Sequence, residues 1–276
     1  MRIVSDTATL FSPEEGRMMG VTILPVYVAV GGKEYKDYED ISSEAFLKMI
    51  EKGGIPSSSQ PSIGDIIEVF EESEEEVLLL SVGDGLSGAY QNAVGAKNSI
   101  ENNGYIHVID TKTLAGPHRY LLKKAIKLRE EGLQIDKIKE KLTESIESSL
   151  SFVIPSDFDF LKRSGRLTPI AAKIGGMIKI VPVMTQTVDK KRIETFAIKR
   201  SCRKAVEAIS KHLKEIGVNE DYIISICHGG VLEKASSTLL QMKEYFHNVQ
   251  FELFQLSPSL ITHGGPGCVT IQVIKK

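Results

Sequence analysis

The sequence has few cysteines and no long uninterrupted apolar run. Its 276 residues include three cysteines, Cys202, Cys227 and Cys268, and no CxxC pair. A small, scattered and odd set predicts reduced thiols rather than a disulfide framework. The opening segment MRIVSDTATL lacks an apolar signal core, and the longest apolar region, residues 169–184, is interrupted by lysines and too short to span a bilayer. We therefore expect a cytoplasmic protein without stable membrane insertion.

The charge balance and the missing motifs exclude further classes of function. The chain carries 34 Lys and Arg against 36 Asp and Glu, a formal net charge of −2. No overall positive field is therefore available to attract nucleic acid. There is no GxxxxGK[ST] loop, which argues against a P-loop ATP site. Cys227 and His228 are adjacent, but no second cluster of ligands has a spacing typical of a metal site.

Predicted strands and helices alternate along most of the chain, which indicates the α/β fold class. The early strands are continuously apolar, as expected for a parallel sheet that is covered on both faces. Residues 22–30 are predicted to form one long strand. Beyond the helix that ends near residue 149, a hairpin between residues 180 and 199 is mixed with helices. We therefore predict two domains, residues 1–152 and 153–276.

Three polar turns are candidate ligand-binding segments, at residues 56–62, 83–91 and 259–267. The second follows an apolar strand, contains glycines and leads into a helix, whose N-terminus attracts anions. Loops at the carboxyl ends of parallel strands meet at one edge of the sheet, so these turns are expected to lie close together. Their hydroxyls and a histidine suit a carboxylate or a phosphate. Each turn taken alone is more typical of an ordinary helix cap or turn.

Five motifs in this order, SSQPS, GLSGAYQ, FLKRSGRL, RSCRKA and HGGPG, resemble the DegV family of bacterial fatty-acid-binding proteins. The resemblance implies an N-terminal three-layer α/β/α domain with a parallel sheet and a C-terminal two-layer α/β domain with a mixed sheet. It also implies a tunnel between them that holds one long-chain fatty acid. Several members serve as the acyl-binding subunit of a fatty acid kinase and present the carboxylate to a separate ATP-dependent subunit. No other cofactor and no metal are implied, and the chain is expected to be a binding protein, not an enzyme.

The resemblance also implies a set of residues around the fatty acid carboxylate: Ser58, Ser59, Ser87, Gly88, Arg200 and His263. Ser58 and Ser87 are expected to donate hydroxyl hydrogen bonds, and the backbone N–H groups near Ser59 and Gly88 to add donors. Arg200 and His263 match a polar network behind the carboxylate, and Arg166 matches an arginine associated with the kinase partner. The chain departs from the family pattern at Asp84, where a serine is usual.

Two alternatives remain open. Ser87, Asp110 and His263 follow the chain order of a hydrolase triad, although GLSGA lacks the last glycine of G-x-S-x-G. A lipid ester hydrolase that uses Ser87 is therefore one alternative, and a sensor of a non-lipid anion is the other.

Residues 169–184, with several small residues that include Gly175 and Gly176, are a candidate wall of the tunnel, but ordinary core packing explains them equally well.

Overall fold

The computed structural model describes residues 1–174 and 180–276. Gly175 and Gly176, suggested as part of a tunnel wall, lie outside the described residues. The strands are β1 (Arg2–Asp6), β2 (Thr22–Leu24), β3 (Tyr27–Val30), β4 (Lys33–Lys36), β5 (Ser57–Ser59), β6 (Val77–Ser81), β7 (Ile106–Asp110), β8 (Leu150–Ile154), β9 (Val181–Gln186), β10 (Ile193–Lys199), β11 (Tyr222–His228), β12 (Gln250–Gln255) and β13 (Val269–Lys275). The α-helices are α1 (Pro13–Met18), α2 (Ser43–Glu51), α3 (Ile63–Glu71), α4 (Ala89–Asn98), α5 (Ala115–Glu130), α6 (Ile135–Ser148), α7 (Phe158–Arg163), α8 (Cys202–Glu215), α9 (Leu232–Lys243) and α10 (Pro258–Gly264).

The first sheet is parallel and has the order β2-β1-β6-β7. Its central strand β6 is buried at every position, as its continuous apolar sequence predicts. Helices α3 and α4 cover one face of this sheet, and α5 and α6 cover the other. This arrangement confirms the predicted α/β class and the parallel sheet.

The second sheet is mixed and has the order β10-β9-β8-β13-β11-β12. Helix α8 and helix α9 pack on its outer face. Its inner face meets α5 and α6, because Ile223 and Ile274 of this sheet share one core cluster with Leu121 and Leu142 of those helices. The α5–α6 pair is therefore a layer common to both sheets, and the cavity described below lies beside it. The predicted boundary between residues 152 and 153 falls inside β8.

The structure corrects two predictions of local structure. Residues 22–30 form two strands instead of one, since β2 joins the parallel sheet while β3 pairs antiparallel with β4 and β5 in a small third sheet. Pro25, which has no N–H to donate, lies at the break. Residues 259–264, predicted as a polar turn, lie in α10, which Ser257 caps and which begins at Pro258.

No helix among residues 1–174 and 180–276 is long and apolar enough to cross a lipid bilayer.

Candidate functional site

A cavity with about 1110 Å³ of empty space, part of it open to solvent, lies where the two sheets approach each other. Its wall combines residues from β5 and the loop after β6 with residues from α10 and the second sheet. Most of the exposed surface of the wall is apolar, with contributions from Leu86, Leu114, Val153, Met184 and Leu260, although about half of the lining residues have polar side chains. Pockets of this kind, apolar with a few polar groups, are typical of small-molecule sites.

Ser58 and His263 form the first polar pair in the cavity wall. The Oγ atom of Ser58 lies 2.8 Å from Nε2 of His263. Ser58 lies on β5 and His263 near the end of α10, so the contact joins two of the segments that were predicted to meet. Burial, with a smaller contribution from the charge of Arg166, lowers the pKa of His263 to about 3. The imidazole is therefore neutral near pH 7 and carries one ring hydrogen.

Ser87 lies in the loop between β6 and α4, at the wall of the same cavity. Its Oγ accepts a hydrogen bond from the backbone N–H of Ala89 at 3.2 Å, which fixes the oxygen at the start of α4. The residue before that helix, Gly88, provides no side-chain cap. The helix N-terminus therefore adds backbone N–H groups and a positive dipole end beside the Ser87 hydroxyl.

Asp84 and Gly85 fix this loop against the turn between β9 and β10. Asp84 Oδ2 lies 3.0 Å from Nζ of Lys191, and this hydrogen bond, the largest influence, lowers the pKa of the Asp84 carboxyl. Gly85 has φ = +85°, and a Cβ atom there would lie 2.6 Å from the backbone oxygen of Lys191. Asp84, which occupies a position where the family usually has a serine, therefore forms an ion pair that joins the loop after β6 to the turn between β9 and β10.

Arg166 contributes a cation to the cavity wall. Its Nε donates to the backbone oxygen of Leu86 at 2.9 Å, and Nη1 donates to the backbone oxygen of Ser164. Burial lowers the pKa of the guanidinium, which still remains charged at neutral pH. The side chain is half-buried, whereas Lys162 and Arg163 on α7 are exposed. Arg166 was predicted as a contact with a partner protein, and the structure places its side chain in the cavity wall.

Three of the predicted carboxylate residues lie away from the cavity wall: Ser59, Gly88 and Arg200 are exposed and are not among the lining residues. The backbone at Ser59 and Gly88 still adjoins lining residues, because Ser58 and Ser87 precede them. Arg200 follows β10 and directly precedes the helix-capping Ser201. The structure therefore brings together Ser58, Ser87, Arg166 and His263, without Arg200.

The residues of the hydrolase alternative are not arranged as a triad. His263 is hydrogen-bonded to Ser58 rather than to Ser87. Asp110 Oδ1 accepts from the backbone N–H groups of Asp84 and Lys112 at 3.0 and 2.8 Å, respectively. A catalytic triad requires the serine hydroxyl to be hydrogen-bonded to the histidine, and the histidine to be hydrogen-bonded to the carboxylate.

The sequence reasoning missed several polar residues of the wall: Gln60, Ser151, Ser259, Thr270 and Gln272. Gln60 and Ser259 belong to turns that had been singled out for their serines and histidine. The other three lie on strands β8 and β13. Thr270 and Gln272 alternate with apolar side chains in β13, which was the available signal, whereas Ser151 is the single polar residue of β8 and no such pattern marks it. In the part of the chain that the structure describes, no group of three or more His, Cys, Asp or Glu side chains is placed to hold a metal ion.

Comparison with known proteins identifies the family. The family model described as "Uncharacterised protein, DegV family" matches residues 1–276. The DegV domain-containing protein SA1258 of Staphylococcus aureus is 28% identical over 99% of this chain and 98% of its own length. A fatty-acid-binding DegV family protein from Thermus thermophilus has a TM-score of 0.88 at 24% identity, over 100% of this chain and 99% of that one. A stearic acid-binding protein from Eubacterium ventriosum has a TM-score of 0.85 at 25% identity, over 99% and 98% of the two chains. The chain therefore belongs to the DegV family.

Proposed function

We propose that the chain binds one long-chain fatty acid in this cavity, with the carboxylate against Ser58, Ser87 and Arg166. The observation that carries the proposal is the composition of the cavity wall, where a cluster of donors that includes a cation joins a largely apolar lining. An acid with a long alkyl chain matches both parts of the wall. The fatty acids bound by relatives from Thermus thermophilus and Eubacterium ventriosum support the same ligand class.

The hydrogen bond between Ser58 and His263 determines whether the Ser58 hydroxyl can donate its hydrogen to the ligand. A carboxylate only accepts hydrogen bonds, so Ser58 has to donate its hydroxyl hydrogen to the ligand. The Ser58 oxygen is then free to accept from His263, which requires the neutral tautomer with its hydrogen on Nε2. The low pKa of His263 agrees with a neutral ring, and Arg166 supplies the positive charge that the imidazole does not carry.

The energetics assign different roles to the two ends of the ligand. Burying about 16 carbons at about 0.8 kcal/mol each contributes roughly 12 kcal/mol before the costs of binding are subtracted. A carboxylate that is removed from water without hydrogen bonds is strongly unfavourable. The acyl chain therefore provides most of the affinity, while the donors offset the desolvation of the carboxylate and orient it.

We further propose that the carrier presents this carboxylate to an ATP-dependent kinase subunit in the cytoplasm, which converts it to an acyl phosphate. The resemblance of the five motifs to the family supports this role. Lys162 and Arg163 are exposed cations close in sequence to Arg166. Charged surface groups mainly govern the rate and orientation of an encounter between proteins. Lys162 is therefore proposed to join Arg166, the predicted partner contact, in docking of the kinase subunit.

The test uses delipidated protein, isotopically labelled palmitate, ATP and a bacterial fatty acid kinase subunit. We expect one palmitate per chain and an acyl phosphate that hydroxylamine traps as a hydroxamate. Lys162→Glu is expected to slow phosphorylation, most strongly at low salt, and to leave the bound palmitate unchanged. Arg203→Glu, an exposed charge reversal on α8, is the matched control. Stoichiometric binding of palmitate without phosphorylation would contradict the proposed role with the kinase subunit and leave the proposed fatty acid binding intact. Labelling of Ser87 by a serine-reactive phosphonate, with turnover of acyl esters, would instead support a hydrolase.

A further inference from the structure

Gln60 is a half-buried residue of the cavity wall that the proposed function leaves without a role. It follows Ser58 by two residues and continues the alternation of β5, so that both residues line the cavity while Ser59 between them is exposed. Among residues 1–174 and 180–276, no group forms a hydrogen bond with the Gln60 side-chain amide. The amide therefore has its donor and its acceptor available to a ligand or to water.

The Gln60 amide packs against the start of α4. A Cβ atom at Gly88 would lie 3.1 Å from Gln60 Nε2 and 3.3 Å from Gln60 Oε1, which is tighter than an ordinary van der Waals contact. The glycine therefore leaves room for the amide beside the N-terminus of α4. Ser87, which directly precedes this glycine, lines the same cavity. The packing thus places the Gln60 amide next to the hydroxyl that is proposed to bind the carboxylate.

A carboxylate at this site has an acceptor position for one more donor. Its two oxygens together accept about four hydrogen bonds. Ser58 and Ser87 each donate one hydrogen in the proposed complex. Arg166 binds the backbone oxygens of Leu86 and Ser164 through Nε and Nη1, which leaves Nη2 for the ligand. The Gln60 amide can supply the fourth donor without adding a second cation to a half-buried site.

We propose that Gln60 is a further carboxylate-binding residue, whose Nε2 donates to the ligand and helps the cavity to distinguish a carboxylate from an uncharged head group. This inference rests on the proposed function, because it concerns the same ligand. A hydrogen bond to an ionised acceptor is roughly twice as strong as one between neutral groups. The amide therefore stabilises a bound carboxylate more than it stabilises the corresponding ester.

The first experiment titrates delipidated wild type and Gln60→Met with palmitate and with methyl palmitate at pH 7. Methionine has a similar length and no donor, so the dissociation constant for palmitate should rise about tenfold or more. Methyl palmitate has uncharged ester oxygens, so its affinity should fall clearly less. Gln134→Met is the matched control, because Gln134 is exposed and does not line the cavity, and both affinities should stay unchanged.

A second variant, Gln60→Glu, gives a readout that packing alone would not move. At pH 7 it places a second carboxylate beside the ligand, so palmitate should bind more weakly than it does to Gln60→Met. A neighbouring like charge raises the pKa of the introduced carboxyl, and its protonation restores a donor. The affinity relative to wild type should therefore recover as the pH falls from 7 to 5. Arg166 and His263, the charged or titratable side chains of the cavity wall, are common to both proteins.

The outcomes separate this inference from the proposed function. If wild type binds palmitate but Gln60→Met binds it equally well, or loses palmitate and methyl palmitate to the same extent, Gln60 only packs against α4. The inference is then wrong and fatty acid binding stands. If wild type binds neither ligand, the proposed function fails and the inference fails with it. Should Gln60→Met not fold, Gln60→Glu decides, and a ratio to wild type that is the same at pH 7 and pH 5 would overturn the inference.

Discussion

Replacing Ser58 by alanine tests the carboxylate end of the site. The hydroxyl lies 2.8 Å from His263 Nε2 and is proposed to pass a hydrogen bond from the imidazole to the carboxylate. Its removal takes one donor from a charged ligand group and leaves the ring nitrogen without its partner. A hydrogen bond to a charged group contributes about 1.5–3 kcal/mol. The dissociation constant for palmitate should therefore rise roughly 10- to 150-fold.

The assay is a calorimetric titration of delipidated protein at pH 7, with Ser59→Ala as the matched control. Ser59 is the exposed neighbour of Ser58, and its substitution keeps the backbone N–H. Its effect should stay below about twofold, as is usual for surface positions. Methyl palmitate has no carboxylate, so it should bind wild type and Ser58→Ala with similar affinity. Equal palmitate affinities for Ser58→Ala and Ser59→Ala would refute the assigned position of the carboxylate.

Three further predictions follow from the contacts in the structure. Gly85→Ala should lower the melting temperature more than Gly132→Ala, because both residues have positive φ but only the Cβ at Gly85 would meet a backbone oxygen; equal losses would contradict the close packing of that loop. Arg166→Gln should weaken palmitate binding and Lys162→Gln should not, since only Arg166 lines the cavity; calorimetric titration distinguishes them, and an unchanged affinity of Arg166→Gln would assign the arginine to the partner surface alone. Burial lowers the pKa of His118 from 6.5 to about 4, so the unfolded state binds the extra proton between these values, and His118 by itself should lower the stability of wild type by about 3 kcal/mol as pH falls from 6.5 to 4. Urea unfolding of His118→Gln should show a loss smaller by that amount, and an equal loss would contradict the prediction.

The elements that the sequence predicted well are those whose local pattern agrees with their tertiary role. Strand β6 is short, almost entirely apolar and buried at every position, as the sequence predicts for a strand of a covered parallel sheet. The pattern of residues 22–30 is also apolar throughout, but it does not reveal that β2 and β3 join different sheets. Helix α10 was missed because its glycine and histidine suggested a turn, although Ser257 and Pro258 are typical of a helix start.

Residues of the candidate site were likewise predictable where they lie in a recognisable local motif, and not where their position depends on how the sheets pack. The polar turns indicated the three segments, whereas the resemblance to the DegV family named Ser58, Ser87 and His263 within them, and the structure brings all three residues to one cavity. Thr270 was hidden in a strand whose apolar neighbours predicted core. Which face of β13 borders the cavity depends on how the second sheet packs, and a single sequence does not contain that information. Arg200 has the polar character expected of the site but follows an element that keeps it exposed.

The central claim, that this cavity holds a fatty acid, is tested most directly by mass spectrometry of solvent extracts from protein purified without detergent. Burial of an alkyl chain makes dissociation slow enough for the ligand to survive purification. We expect close to one fatty acid per chain, and the Ser58→Ala protein should carry less. Protein that is fully folded yet free of fatty acid, both as purified and after incubation with palmitate, would contradict the account.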